Sequence, residues 1–211
     1  MFDASTLATY LIAAAILVFI PGPGTAWILT QSAAGGTSRG IQAAFGLETA
    51  TLIHALAAGL GLSALLATSA LAFEVLKYAG AAYLIWLGIK AWRSGGPAQA
   101  TQDAAPVRTQ VSAREVYLRS VMTGVLNPKV ALFFLAFLPQ FVHPERGMVW
   151  LQFLILGALL SMIGMLNSLM LSVAVGQFGR RFKGSGGRWK ERLTGSVFIA
   201  LGLRLAIQQR S

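Results

Sequence analysis

Long apolar stretches separated by short polar segments dominate the chain. Five of the stretches are long enough for a membrane-spanning helix, which needs about 20 mostly apolar residues, and a sixth is shorter and carries Arg204. The candidate spans are Leu7 to Leu29, Ile41 to Ala67, Leu71 to Trp92, Ser120 to Phe141, Met148 to Val175 and Leu193 to Ile207. The pattern predicts an all-α membrane protein with six transmembrane helices.

Prolines interrupt two of these stretches. Pro21-Gly22-Pro23-Gly24 lies inside the first stretch and Asn127-Pro128-Lys129 lies inside the fourth. A proline has no amide N–H, so it frees a main-chain carbonyl that lipid cannot satisfy. Broken helices at corresponding positions of two halves are typical of the central binding site of a transporter. A plain structural kink is the alternative interpretation of each break.

A segment without apolar periodicity separates the first three stretches from the last three. We expect residues 94–114 to form a flexible linker, within one transmembrane domain, 1–211, made of a first half, 1–93, and a second half, 115–211. A weak repeat relates the halves, because residues 85–90 are similar to 199–204 and residues 23–26 to 128–131. Three spans per half is an odd number, so the repeat predicts that the second half is inverted in the membrane.

Basic residues are distributed unevenly between the connections. Most of the 17 Lys and Arg residues lie in the first, third and fifth connections. Cytoplasmic loops carry an excess of positive charge, so this side is predicted to be cytoplasmic and both termini to lie outside. The first stretch follows Met1-Phe2-Asp3, without a basic segment or a small-residue cleavage site, so we expect it to be retained.

Composition narrows the class of protein further. Apolar residues make up 55% of the chain and charged residues 11%, which excludes an ordinary soluble domain and indicates a lipid bilayer as the partner. The excess of basic over acidic residues does not indicate nucleic acid, because no basic helix or aromatic platform accompanies it. Cysteine is absent, which excludes disulfides and thiolate metal sites. We expect no cofactor.

Polar side chains inside the spans are candidates for function, because each is costly to bury in lipid. Lys129 follows the second break, where its ammonium needs a counter-charge or freed carbonyls; snorkelling to the surface is the alternative. Glu48 is a candidate proton carrier or an interfacial carboxylate held by Arg39 or another base. His54 is a second candidate for proton coupling or a hydrogen-bonded packing residue. It lies roughly 240° around the helix from Glu48, so the two are a poor metal pair.

The first break has the chemistry to recognise a zwitterion. An unwound segment presents free carbonyls to an ammonium, and the N-terminus of the next half-helix faces a carboxylate. The predicted substrate-binding residues are those of the two breaks: Pro21, Gly22, Pro23, Gly24, Asn127, Pro128 and Lys129. We predict no metal ligands.

Small residues recur every four positions in the fifth stretch, at Gly164, Ser168, Ser172 and Gly176. This spacing places them on one helical stripe and lets two backbones approach closely. Packing is favoured over substrate contact for this stripe. The packing could occur within one chain or between two, so a homodimer stays an open alternative.

Several motifs together resemble the lysine exporter (LysE/RhtB) family of amino-acid efflux proteins, over nearly the whole chain. They are Pro21-Gly22-Pro23, the segments Lys77 to Gly88 and Gly124 to Lys129, Phe133-Phe134, and the segment Leu138 to Phe141. The resemblance implies export of amino acids from the cytoplasm, driven by the proton gradient, in a bacterial inner membrane. It also implies that Pro21, Gly22, Pro23, Asn127, Pro128 and Lys129 are site residues.

One position departs from the family pattern. Many relatives place an acidic residue in helix two shortly before the histidine that His54 resembles, whereas here Thr51 occupies that place and Glu48 lies one turn earlier. This departure bears on the proton-carrying role of Glu48 and on any preference for basic substrates.

The function predicted is secondary export of neutral or hydroxylated amino acids, such as homoserine, threonine or leucine, by proton antiport. Export of metal cations is the alternative, for which the spans offer Glu48 and His54 on different faces. An intramembrane enzyme is not expected, because no pair of catalytic side chains shares a face.

Overall fold

The computed structural model describes residues 2–68 and 111–178, together with six helical positions at 75, 78, 82, 85, 86 and 89. The sixth predicted span, most of the third, the repeat that relates them and most of the predicted linker lie outside the described residues. The six-helix inverted repeat therefore stays a prediction.

The described chain is helical, and no residue within it forms a strand. The helices are α1 (Ala4–Phe19), α2 (Pro23–Thr68), α3 (Ala113–Val125), α4 (Pro128–Leu132) and α5 (Val149–Phe178). Between α4 and α5 the chain forms a π-helical turn, Phe133–Phe137, and two 3₁₀ turns, Leu138–Phe141 and Pro144–Arg146. Both predicted proline breaks are present, between α1 and α2 and between α3 and α4.

Helix α2 is divided into two antiparallel arms by a turn at Gly35 and Gly36. Gly36 has a φ of 72°, which glycine adopts without the steric cost that a Cβ brings. Across the turn, a Cβ added at Gly40 would meet the Ser32 hydroxyl, and one added at Gly24 would lie 3.5 Å from Leu47. Residues 23–34 therefore form the first arm and residues 37–68 the second arm.

The lengths and apolar composition of the helices are those of a membrane protein. Two helical stretches, Pro23–Gly61 and Val149–Gln177, are long and apolar enough to cross a membrane. The pair Ala113–Val125 and Pro128–Phe141, bent by 47°, passes the same test as one broken span. The turn at Gly35 and Gly36 lies inside the first stretch, so the second arm of α2 supplies most of its length.

Helix α5 packs antiparallel to the second arm of α2 through small residues. A Cβ added at Gly59 would lie 3.1 Å from the Trp150 carbonyl oxygen, and a Cβ added at Gly176 would meet the backbone of Thr37. Gly164 and Ser172 of the small-residue stripe also face this arm, so the stripe packs within one chain. Nothing in this contact bears on a homodimer.

An aromatic cluster fills the space between α1, α5 and the chain that follows α4. Its rings belong to Tyr10, Phe133, Phe134, Phe137 and Phe141, with centroids 5.2 to 6.3 Å apart in the contacting pairs. The buried Tyr10 hydroxyl donates to the Leu156 carbonyl oxygen at 2.5 Å, so its polar group is satisfied.

The first broken helix consists of α1 and the first arm of α2, and the second consists of Ala113–Val125 and Pro128–Phe141. An ion pair joins the two broken helices at one end of the bundle. The Arg146 guanidinium donates to the two carboxylate oxygens of Asp3 at 2.7 and 3.2 Å. Asp3 precedes α1, and Arg146 follows the second broken helix. The first broken helix therefore begins at the end where the second broken helix finishes, so the two are antiparallel.

Candidate functional site

The two proline breaks meet through one side chain. The Lys129 ammonium donates to the carbonyl oxygens of Leu17 and Ile20, each at 2.7 Å. Both acceptors belong to the end of the first broken helix, and Lys129 belongs to the second. The lysine is thus directed toward the other break, and the structure does not show it snorkelling to the surface.

The local sequence explains why these carbonyls are free. In an α-helix the Leu17 carbonyl would accept from the amide four residues later, which is Pro21 and has no N–H. The Ile20 carbonyl would accept from Gly24, whose amide belongs to the first turn of α2. Proline and the helix start therefore leave two acceptors that the ammonium of Lys129 satisfies.

Asn127 orients the lysine and closes the second break. Its side-chain oxygen accepts from the Lys129 backbone amide at 3.1 Å, which makes it the N-cap of α4. Gly24 of the first break faces the same side chain, since a Cβ added there would lie 3.7 Å from the Asn127 amide nitrogen. Gly22 lies against Lys129 itself, because an added Cβ would be 3.4 Å from its Cδ.

A cavity of about 90 Å³ lies where the breaks meet. Four of the predicted site residues line it: Gly24, Glu48, Asn127 and Lys129. The remaining lining residues are Leu17, Val18, Thr25, Leu47, Thr51, Gly124, Val130, Leu160, Gly164, Asn167, Ser168 and Leu171. The predicted site residues Pro21, Gly22, Pro23 and Pro128 shape the backbone around the cavity but do not line it.

Glu48 is a buried carboxylate at the side of this cavity, with 9% of its surface exposed. The hydroxyls of Ser161 and Thr51 are its polar neighbours, and the Thr51 hydroxyl donates to the Leu47 carbonyl oxygen at 3.2 Å. Arg39, considered above as a holder of this carboxylate, instead donates to the Gln31 side-chain oxygen at 2.7 Å, near the α2 turn. Glu48 is therefore placed in the cavity without that base.

His54 lies apart from the cavity lining. Its ring stacks on Phe134, with centroids 6.0 Å apart and planes 18° apart. Its Nε2 atom is 3.4 Å from the Gly124 carbonyl oxygen. These contacts agree with packing, one of the two interpretations of His54 drawn from the sequence.

Two groups of site atoms were not predicted from the sequence. Thr25 and Gly164 line the cavity; the sequence placed Gly164 in the small-residue stripe, for which packing was favoured over substrate contact, and gave no site role to Thr25. The carbonyls of Leu17 and Ile20 had a signal, because one lies four residues before Pro21. Asn167, a polar residue of α5, also lines the cavity.

Two broken antiparallel helices meet at a cavity lined by Glu48 and Lys129, in a bundle with helices of membrane-spanning length. These features define a polytopic membrane protein of the transporter type. The chain belongs to the LysE type translocator family, whose family model matches residues 15–209. This family assignment agrees with the resemblance drawn from the motifs.

Relatives similar to the chain cover nearly its whole length. The homoserine/homoserine lactone efflux protein of Salmonella typhimurium is 33% identical over 198 residues, covering 93% of this chain and 94% of the relative. The leucine efflux protein of Klebsiella pneumoniae is 31% identical, covering 95% and 94%. An uncharacterized membrane protein of Vibrio cholerae is 34% identical, covering 93% and 94%. No solved structure matches the chain.

Proposed function

We propose that this protein is a secondary transporter that exports neutral or hydroxylated amino acids from the cytoplasm in exchange for protons. The names of the relatives support the substrate class, since one exports homoserine and its lactone and another exports leucine. These compounds all carry an amino group on the carbon next to a carbonyl group. Homoserine and leucine also have a free carboxylate, which the lactone lacks. The proposal places the protein in the bacterial inner membrane, with both termini outside.

The observation that carries this proposal is the contact of Lys129 with Leu17 and Ile20 beside the cavity. A side chain of the second broken helix hydrogen-bonds the free carbonyls of the first. The two broken helices are therefore coupled where a substrate would bind. A substrate carboxylate or carbonyl oxygen that binds the Lys129 ammonium would compete with the carbonyls of Leu17 and Ile20 for it. Binding would thereby change the contact between the halves, which is what alternating access requires.

The remaining residues have roles in this scheme. Gly24 and Asn127 line the cavity beside Lys129 and would contact the substrate, while Pro21, Gly22, Pro23 and Pro128 keep the backbone open. Glu48 is the proposed proton carrier, because it lines the same cavity, and His54 is the second candidate for that role. Export of metal cations has no support among the described residues, where no three His, Cys, Asp or Glu side chains could hold a metal ion.

Transport into inside-out membrane vesicles tests the proposal. Labelled homoserine, threonine and leucine are offered outside vesicles whose lumen is made acidic. We expect uptake of at least one of them that rises several-fold with the gradient and collapses with a protonophore. Glu115→Gln, which alters an exposed acid of α3, is the control variant and should behave as wild type. Folded, correctly oriented protein that accumulates none of the panel, or is indifferent to the gradient, would contradict the proposal.

A further inference from the structure

Two opposite charges line the cavity without forming an ion pair with each other. The Lys129 ammonium donates to two main-chain carbonyls, and the Glu48 carboxylate has the Ser161 and Thr51 hydroxyls as neighbours, of which Thr51 donates to the Leu47 carbonyl oxygen. Within residues 2–68 and 111–178, the ion pairs are Arg119 with Glu115 and Arg146 with Asp3, and the His143 ring lies against Glu145. The polar neighbours of the Lys129 ammonium and the Glu48 carboxylate are therefore uncharged groups.

The Glu48 carboxylate occupies a place prepared for it by Gly164. A Cβ added at Gly164 would lie 2.5 Å from one carboxylate oxygen and 3.0 Å from the other. The absence of a side chain on α5 thus lets the carboxylate reach the cavity. Of the described residues that line the cavity, Glu48 and Lys129 are the two that titrate. The nearby bases are engaged elsewhere, Arg39 with Gln31 and His54 against Phe134.

A free amino acid completes this arrangement. A buried charge is costly unless an opposite charge pairs with it. The carbonyls of the first break, which were expected from the sequence to receive the substrate ammonium, already accept from Lys129. An incoming ammonium therefore meets in Glu48 the one anionic acceptor among the described lining residues.

We propose that Glu48 binds the α-ammonium of the substrate and that a proton and the substrate compete for this carboxylate. The inference rests on the proposed function and deepens it, because one side chain then sets both the substrate class and the coupling. When the ammonium binds, the proton on the Glu48 carboxyl passes to water on the side to which the cavity is open. The substrate keeps its own three N–H protons, so one bound proton is exchanged for one bound substrate.

Equilibrium binding of labelled leucine to purified protein in nanodiscs tests the competition. The affinity of wild type should rise with pH, by up to about tenfold per pH unit while Glu48 is protonated. One proton per leucine should be released in weakly buffered solution at the acidic end. N-acetyl-leucine, which lacks the ammonium, should compete poorly with leucine, whereas leucine methyl ester, which keeps it, should compete.

Variants separate the shared role from a role in proton transfer alone. Glu48→Gln should weaken leucine binding by at least about tenfold and remove its pH dependence. Gly164→Ala should also weaken binding, because its Cβ displaces the carboxylate, and Glu115→Gln should not. Unchanged leucine affinity in Glu48→Gln would overturn the proposal, even if the pH dependence of transport were lost.

If Glu48→Gln fails to fold, the competition and proton-release measurements on wild type still test the inference. Equal competition by leucine and N-acetyl-leucine, or leucine binding without proton release at the acidic end, would overturn the inference. These results differ from failure of the proposed function, in which wild type neither binds nor transports any amino acid. If wild type transports leucine and Glu48→Gln binds it normally, the proposed exporter function would stand. The proposed binding of the substrate ammonium by Glu48 would then be wrong.

Discussion

The Nζ atom of Lys129 lies 2.7 Å from the carbonyl oxygen of Leu17, the carbonyl that Pro21 leaves without an amide partner. The two residues are 112 positions apart in the chain. Pro-Gly-Pro-Gly and Asn-Pro-Lys are therefore parts of one structural unit, in which the first motif frees acceptors and the second supplies the donor. A change in either motif should affect both halves.

Replacing Lys129 by methionine tests this unit directly. Lys129→Met keeps the approximate length of the side chain but leaves the carbonyls of Leu17 and Ile20 without a partner. We expect the free energy of unfolding to fall by about 2–4 kcal/mol, because two buried acceptors lose a charged donor. We expect transport to fall by about 100-fold, because the substrate loses its cationic partner. Denaturant unfolding in detergent and vesicle uptake measure the two effects.

Arg119→Gln is the matched control, since it removes a basic residue from an exposed position of α3. Its stability and transport should lie close to those of wild type, because exposed ion pairs contribute little. Normal transport by Lys129→Met would show that the lysine has a structural role and no part in substrate binding.

Asn127 combines a capping role with a place in the cavity, and two substitutions separate them. Asn127→Ala removes the acceptor for the Lys129 amide and should lower stability by about 1 kcal/mol. Asn127→Asp keeps a capping oxygen but adds a negative charge to the cavity that Lys129 also lines. It should retain stability and weaken binding of amino acids by about tenfold. Unfolding and binding assays on both variants would refute this division if Asn127→Asp bound leucine as wild type does.

Close helix packing predicts opposite effects at two glycines of α2. A Cβ added at Gly46 would lie 2.5 Å from the Ser120 Cβ and 2.5 Å from the Tyr117 carbonyl oxygen. Gly46→Ala should therefore destabilise the protein by about 1–3 kcal/mol. At Gly61 an added Cβ has no neighbour within 4 Å among the described residues, so Gly61→Ala should stabilise the helix by about 0.5–1 kcal/mol. Equal unfolding free energies for the two variants would contradict the packing.

The sequence predicted the positions of the breaks because proline acts locally. Pro21 and Pro128 remove amides wherever the chain folds, and Met148 to Val175 is apolar enough to predict α5 (Val149–Phe178) closely. Helix α3 begins at Ala113, before the predicted span, because Ser112 accepts from the Glu115 amide and caps a polar first turn. A hydropathy pattern does not detect such a cap, because the first turn of the helix is polar.

The partners across the site could not be predicted from the sequence. Lys129 was expected to need free carbonyls or a counter-charge, but nothing local shows that Leu17 and Ile20 supply them. The small-residue stripe marked Gly164 for close packing, but its position opposite Glu48 depends on the register of two distant helices. The π-helical turn Phe133–Phe137, whose first ring contacts Tyr10, likewise has no sequence motif of its own.

A substitution of His54 distinguishes a role in proton coupling from a role in packing. His54→Phe keeps a ring that can stack on Phe134 and removes the titrating group. Because His54 does not line the cavity, we expect gradient-driven uptake within about threefold of wild type. Glu48→Gln, assayed in parallel, should lose the response to the gradient. The reverse result, with coupling lost in His54→Phe and kept in Glu48→Gln, would move the proton pathway to the histidine.

The Asp3–Arg146 pair should give the stability of the bundle end a pH dependence. Its hydrogen bonds from the Arg146 guanidinium lower the pKa of Asp3 below the ordinary value of 3.8. A lowered pKa in the folded state means that the stabilisation is complete above 3.8 and disappears as the pH falls through the folded value. We expect Asp3→Asn to lower the thermal midpoint slightly near neutral pH, because both side chains are exposed. A double-mutant cycle with Arg146→Gln should show a coupling near neutral pH that vanishes in strong acid. A coupling of the same size at both pH values would show that the two residues interact through something other than their charges.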